Sequence, residues 1–73
     1  MMNYRLEVFR QVAGLQSATK AARVLHLSQP AVTKHIQLLE AALRVPLFTR
    51  SASGMILTPA GILYLQHVEQ IAQ

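Results

Sequence analysis

Cysteine, aspartate and tryptophan are absent from the sequence, and glycine and proline occur three times each. Without cysteine, neither a disulfide nor a thiolate metal site can reinforce a small fold. Without aspartate, and with Glu7, Glu40 and Glu69 scattered along the chain, no acid–base constellation is evident, and no glycine-rich phosphate loop occurs. His26, His35 and His67 lack the i, i+4 spacing of a helical metal site. Ser28, considered as a nucleophile, has no base or elbow motif around it. The expectation is therefore no enzyme, no metal and no cofactor. Aromatic residues are only 5% of the chain, and Tyr4, Phe9, Phe48 and Tyr64 fall mostly on core faces, so a stacking platform for RNA is missing. No apolar run reaches the about 18 residues of a membrane span. Met1 to Arg10 mixes charged with apolar residues and has no signal-peptide core, so a cytoplasmic location is expected.

What is present is compact and basic. A chain of 73 residues makes a single domain. At this size folding buries only roughly 60% of the surface of the unfolded chain, so stability must come from dense helix packing or from a partner chain. The hydrophobic fraction of 52% permits either. Seven Lys and Arg residues against three acids give a net charge of +4, which favours nucleic acid or another anionic surface as partner.

The periodicity is helical over most of the chain. Asn3 is a candidate N-cap for a first helix whose Leu6, Phe9, Val12 and Ala13 recur on one face and which ends near Gly14. Ser17 caps a short second helix in which Ala18, Ala21, Ala22 and Leu25 permit close approach to a neighbour. After a tight connection at His26–Leu27, Ser28 caps a third helix, Ser28 to Leu43, with Pro30 in its first turn, where a missing N–H costs nothing. Val32, Ile36, Leu39 and Leu43 mark its buried stripe, and Pro46 closes it off. Two short helices joined by such a turn form a helix-turn-helix. Phe48–Arg50 and Met55–Leu57, separated by Ser51–Gly54, read as a β-hairpin. Thr58 and Pro59 then start a fourth helix carrying Ile62, Leu65, Val68 and Ala72, with Tyr64 and Ile71 beside them, still helical in pattern at Gln73. The expected fold is mainly α, a winged helix-turn-helix: a three-helix core with a two-stranded wing over residues 1–58, then the start of a long C-terminal linker helix over 59–73.

That order of elements resembles the N-terminal domain of the LysR-type transcriptional regulators. The likeness is carried by Ala21–Ala22, by Leu27 to Lys34 (LSQPAVTK), by Leu39–Glu40, by Leu47 to Arg50 (LFTR) and by Leu57 to Gly61 (LTPAG), in order and without gaps. The sequence departs from the family at four places. Arg44 stands where members usually have the glycine that ends the recognition helix. Either that end takes another geometry, or a left-handed non-glycine residue costs on the order of 1 kcal/mol. Gln16 and Ala18 replace a glycine and a bulky apolar residue, and Ser53 stands in the hairpin loop where arginine is frequent, which weakens any minor-groove contact from the wing. Related winged-helix regulators, including molybdate-responsive ones, share the pattern. A winged helix serving only protein interaction is the rival from another class, and the polar, basic face over 29–34 argues against it.

With Val32 and Ile36 facing inward, the third helix presents Gln29, Pro30, Thr33, Lys34 and Gln37. Glutamine complements adenine N6 and N7, lysine donates to guanine O6 and N7, and Pro30 and the Thr33 methyl suit a thymine methyl. The resemblance implies the same set, Gln29, Pro30, Thr33 and Lys34, for base reading. Lys34 has a phosphate as its alternative partner. Phosphate contacts are expected from Ser17, Thr19, Lys20, Ser28, Arg50 and Ser53, with Ser51 near them. Arg50 has two candidate partners, DNA or Glu40, while Arg23 and His35 are expected in solvent. On the fourth helix, Tyr64 or Leu65 closes the core. The first turns suffice for that, so Leu65, Val68, Ile71 and Ala72 are expected to form a dimer interface. The resemblance implies a homodimer paired through this helix on a pseudo-palindromic duplex. It also implies a further C-terminal domain of the two-lobed periplasmic-binding-protein type, to which any small-molecule effector would bind.

Overall fold

The computed structural model describes residues 4–72, with the side chains of Ile71 and Ala72 outside the description, as are Asn3, the candidate first cap, and Gln73. Among the described residues the order is α1 (Tyr4–Leu15), α2 (Ala18–Leu25), α3 (Gln29–Leu43), β1 (Phe48–Ser51), β2 (Gly54–Leu57) and α4 (Pro59–Ala72). Helix α1 buries Val8, Phe9, Val12 and Ala13, the period of three and four that makes its inner face. It runs through Gly14 to Leu15, one residue past the expected stop, and the chain reverses at Gln16, whose φ is 55°. Ser17 caps α2, its Oγ accepting from the Lys20 N–H at 3.0 Å, and Ser28 caps α3, accepting from the Ala31 N–H at 3.2 Å. Helix α2 ends at His26 and α3 at Arg44, each left-handed with φ 58°. The helix end at Arg44 thus keeps the geometry that glycine would provide, at the cost of a β-carbon crowded against a carbonyl.

Val32, Ile36 and Leu39 of α3 enter the core with Ala21 and Ala22 of α2 and the inner face of α1. Leu43, expected to extend that stripe, is 38% exposed instead. It lies at the rim of a shallow apolar trough with Val45, Leu63 and Tyr64. The hairpin pairs antiparallel from Phe48 opposite Leu57 to Ser51 opposite Gly54, so each strand is one residue longer than its sequence pattern indicates.

Three connections fasten this wing to the helices. The Glu40 carboxylate accepts the Leu47 N–H at 2.7 Å and the Phe48 N–H at 3.3 Å through the same oxygen. The Met55 N–H donates to the Gln16 carbonyl at 3.0 Å, and Gly54, at φ 125°, lies where a β-carbon would collide with that carbonyl. The Thr58 hydroxyl donates to the Pro46 carbonyl at 2.8 Å and accepts from the Gly61 N–H at 3.0 Å, so one side chain both caps α4 and ties it to the segment before β1.

Helix α4 packs on α1 as well as on the wing. Tyr64 meets Phe9 edge-on at 5.3 Å between ring centroids, while Phe9 packs against Phe48 at 5.5 Å. Val68, four residues beyond Tyr64 on the same helical face, is fully buried within the monomer, and Leu65 packs against the same core. The burial of Val68 within the monomer corrects the expectation that it belongs to a dimer interface. Crossing α1 lets the core cover more of α4 than its first turns, and among the described residues the exposed large apolar side chains of α4 are Ile62 and Leu63.

Two substitutions test these fastenings. Gly61 is buried, and a β-carbon there would collide with the Leu47 carbonyl oxygen. Gly61→Ala is expected to destabilise the fold by about 1–3 kcal/mol in urea denaturation. Glu40→Ala strands two half-buried N–H groups and is expected to cost about 1–3 kcal/mol, with Glu40→Gln, which keeps a carbonyl acceptor, recovering part of it. Equal stability of the alanine variant and the parent chain would show that the clamp contributes nothing.

Candidate nucleic-acid interface

The residues singled out for base reading lie on the N-terminal half of α3, where the burial of Val32 and Ile36 sets the rotation of the helix. Pro30 and Lys34 are exposed. Gln29 and Thr33 are half-buried and one turn apart, and the Gln29 amide Nε2 donates to the Thr33 hydroxyl at 2.8 Å. None of the four belongs to the apolar core.

The wing and the start of α2 face the same end of α3. Ser17, Ala18, Thr19, Gln29, Arg50, Ser51, Gly54 and Met55 line one cleft of about 190 Å³, which brings three separate chain segments round a common hollow. A smaller cleft of about 110 Å³ continues from it between α3 and the hairpin, with Thr33, Gln37, Glu40 and Arg50 among its walls. Arg50 borders both. Of its two candidate partners, Glu40 is not paired with it: that carboxylate is held by backbone N–H groups, and the ion pair among the described residues is Arg10 with Glu7 at 3.3 Å. Arg50 is exposed, its charge directed to solvent from the edge of the cleft.

Ser17 and Ser28 each spend their hydroxyl on a helix cap, as N-caps do, while Thr19 and Lys20 are exposed on the first turn of α2. At the tip of the wing the hydroxyls of Ser51 and Ser53 bond to one another at 2.9 Å, so Ser53 is exposed but already partnered. Between Ser17 and Ser53 the chain carries a single acid, Glu40, against Lys20, Arg23, Lys34, Arg44 and Arg50. The face is therefore cationic by composition, five basic residues against one acid. Arg23 is exposed as expected. His35 is not fully so: it is half-buried, with its ring edge-on to Tyr4 at 5.6 Å and its Nδ1 shielded.

Two contacts escaped sequence reasoning. Glu40 acts on residues seven and eight positions later across a chain reversal, a distance at which local patterns say nothing. The Gln29–Thr33 bond did have a signal, the i, i+4 spacing of an amide and a hydroxyl on one helical face. Among the described residues, no helix is long and apolar enough to cross a membrane.

Comparison with known proteins places this arrangement in a family. The family model of the bacterial regulatory helix-turn-helix protein, lysR family, matches residues 4–62. The HTH-type transcriptional regulator TfdS of Cupriavidus pinatubonensis is 44% identical over 73 residues, covering 99% of this chain and 25% of the relative. The fold is similar to that in the crystal structure of the CbnR_DBD–DNA complex, at 40% identity and a TM-score of 0.91, over 99% of this chain and 83% of that one. It is also similar to that in the BenM_DBD/catB site 1 DNA complex, at 33% identity and a TM-score of 0.91, over 99% and 81%. The chain spans about a quarter of the length of the curated relatives it matches. Over residues 4–62, which hold the three-helix core, the wing and the start of α4, the chain belongs to the LysR family of bacterial regulatory helix-turn-helix proteins.

Proposed function

We propose that this chain is the DNA-reading module of a transcriptional regulator, binding double-stranded DNA sequence-specifically with α3 in the major groove. The observation that carries this reading is the rotation of α3: its aliphatic stripe is locked inward, and the outward side of its first turns offers Gln29, Pro30, Thr33 and Lys34 beside the Arg50 cleft. A helix entering the major groove contacts base edges from its N-terminal residues, and these side chains supply the donors, acceptors and apolar surface that base edges call for. Ser17, Thr19, Lys20, Ser28, Arg50 and Ser53 surround that end and are assigned to phosphates. Further support comes from the similar domains crystallised with DNA. In this reading the module is a cytoplasmic binding domain and not an enzyme, and any small-molecule effector acts on residues beyond this chain.

The same reading includes a second copy of the chain. Ile62 and Leu63 are exposed, and Leu63 borders the apolar trough shared with Leu43, Val45 and His67. Two copies reading a pseudo-palindromic site must hold their α3 helices about 34–36 Å apart, the spacing of successive major grooves.

Binding to duplex DNA is expected to fall steeply with salt as counterions are released. Arg50→Ala should reduce the slope of log K against log salt by about one. Fluorescence anisotropy with a labelled duplex over a salt series measures it, and an unchanged slope would remove Arg50 from the phosphate contacts. Leu63→Glu is expected to shift sedimentation towards monomer without lowering the melting temperature. If the sedimentation profile does not move, pairing does not use this face.

A further inference from the structure

We infer that Thr33 is a positioning residue that makes Gln29 select adenine and reject guanine, an inference that rests on the proposed reading of DNA by α3. The two side chains are linked before any ligand arrives, with the Gln29 Nε2 2.8 Å from the Thr33 Oγ1 and donating to it. A primary amide carries two N–H donors and one carbonyl acceptor. Thr33 takes one N–H, so the amide retains one donor and one acceptor for a base. Adenine presents N6–H, a donor, and N7, an acceptor, in the major groove, and complements that remainder. Guanine presents two acceptors there, O6 and N7. A glutamine free to rotate could meet guanine with both N–H groups, whereas one committed to Thr33 faces an acceptor with its own carbonyl oxygen. The Thr33 hydroxyl therefore acts chiefly against the wrong base, as specificity often does.

The bond also lowers the cost of binding. Gln29 is half-buried and carries several rotatable bonds, and a side chain held in place beforehand loses less freedom when it docks. Thr33 has a second property that separates its roles: its methyl is available to a thymine methyl whether or not its hydroxyl bonds Gln29. Thr33→Val removes the hydroxyl and keeps a methyl in that place, while Thr33→Ser does the reverse.

The test selects preferred sequences from a random duplex library with the 73-residue chain and with Gln29→Ala, Thr33→Val and Thr33→Ser. The parent chain is expected to enrich adenine at a position where Gln29→Ala loses the preference. At that position Thr33→Val should lower the adenine-to-guanine ratio by about fivefold or more, and Thr33→Ser should restore it. The far-UV circular dichroism and melting temperature should be the same for all four proteins, which a variant that failed to fold would not show. An adenine preference undiminished in Thr33→Val overturns the positioning role and leaves the DNA-reading function standing. So does a loss that Thr33→Ser fails to restore. Selection of no sequence by the parent chain overturns the function itself, and the inference with it.

Discussion

Val32, Ile36 and Leu39 share one apolar space with Phe9 and Val12 of α1 and with Ala21 and Ala22 of α2. Everything that α3 can do at its surface follows from that burial, because a helix whose inner face is fixed has no freedom left in its outer one. The alanines of α2 matter as much as the larger side chains: only a methyl-sized contact lets α2 and α3 approach closely enough for the turn between them to stay short. Burying these three aliphatic residues is worth roughly 1.5–3 kcal/mol each before the entropy of ordering them is counted. The side chains of Gln29, Pro30, Thr33 and Lys34 are placed by that packing rather than by membership of the core.

A short basic domain also needs its wing held still, and here polar contacts take over. Glu40, the one acid between Ser17 and Ser53, accepts two backbone N–H groups at the base of β1, and Thr58 bonds both the Pro46 carbonyl and the first turn of α4. On the other strand the Gln16 carbonyl receives the Met55 N–H. The wing is thus tied to the ends of α1, α3 and α4, and Arg50 is presented between α2 and α3 because of it. Three non-glycine residues, Gln16, His26 and Arg44, are left-handed at the reversals after α1, α2 and α3. Two of them, Gln16 and Arg44, occupy places where the resembling family uses glycine, and the geometry explains the glycine: the turn is kept, and the substituted residue bears the strain.

The parts of this fold legible in the sequence are those governed by neighbours along the chain. Ser17, Ser28 and Thr58 cap their helices as their residue types indicate, Pro30 and Pro59 mark first turns, and the period of Val32, Ile36 and Leu39 gives the inner face of α3. How far the core extends is not written in local pattern. Leu43 continues the same period but is exposed at the rim of the trough beside α4, and Val68 sits deep in the core because α4 packs on α1. Periodicity tells which face of a helix is apolar and not what lies opposite. The partner of Arg50 was undecidable for the same reason, since only the path of residues 44–48 shows that backbone N–H groups reach Glu40 first. Of the candidate site, the sequence offers the residue types, while the meeting of Ser17, Thr19, Gln29 and Arg50 round one cleft shows only in the fold.

The most direct measurement is the change in backbone amide shifts of the chain as a double-stranded DNA is titrated in. The account predicts that the perturbed amides fall on residues 17–20, 28–34 and 50–54, with the buried faces of α1 and α4 little changed. Perturbations concentrated instead on α1 and on the outer face of α4 would mean that the inward locking of Val32, Ile36 and Leu39 does not create the binding face.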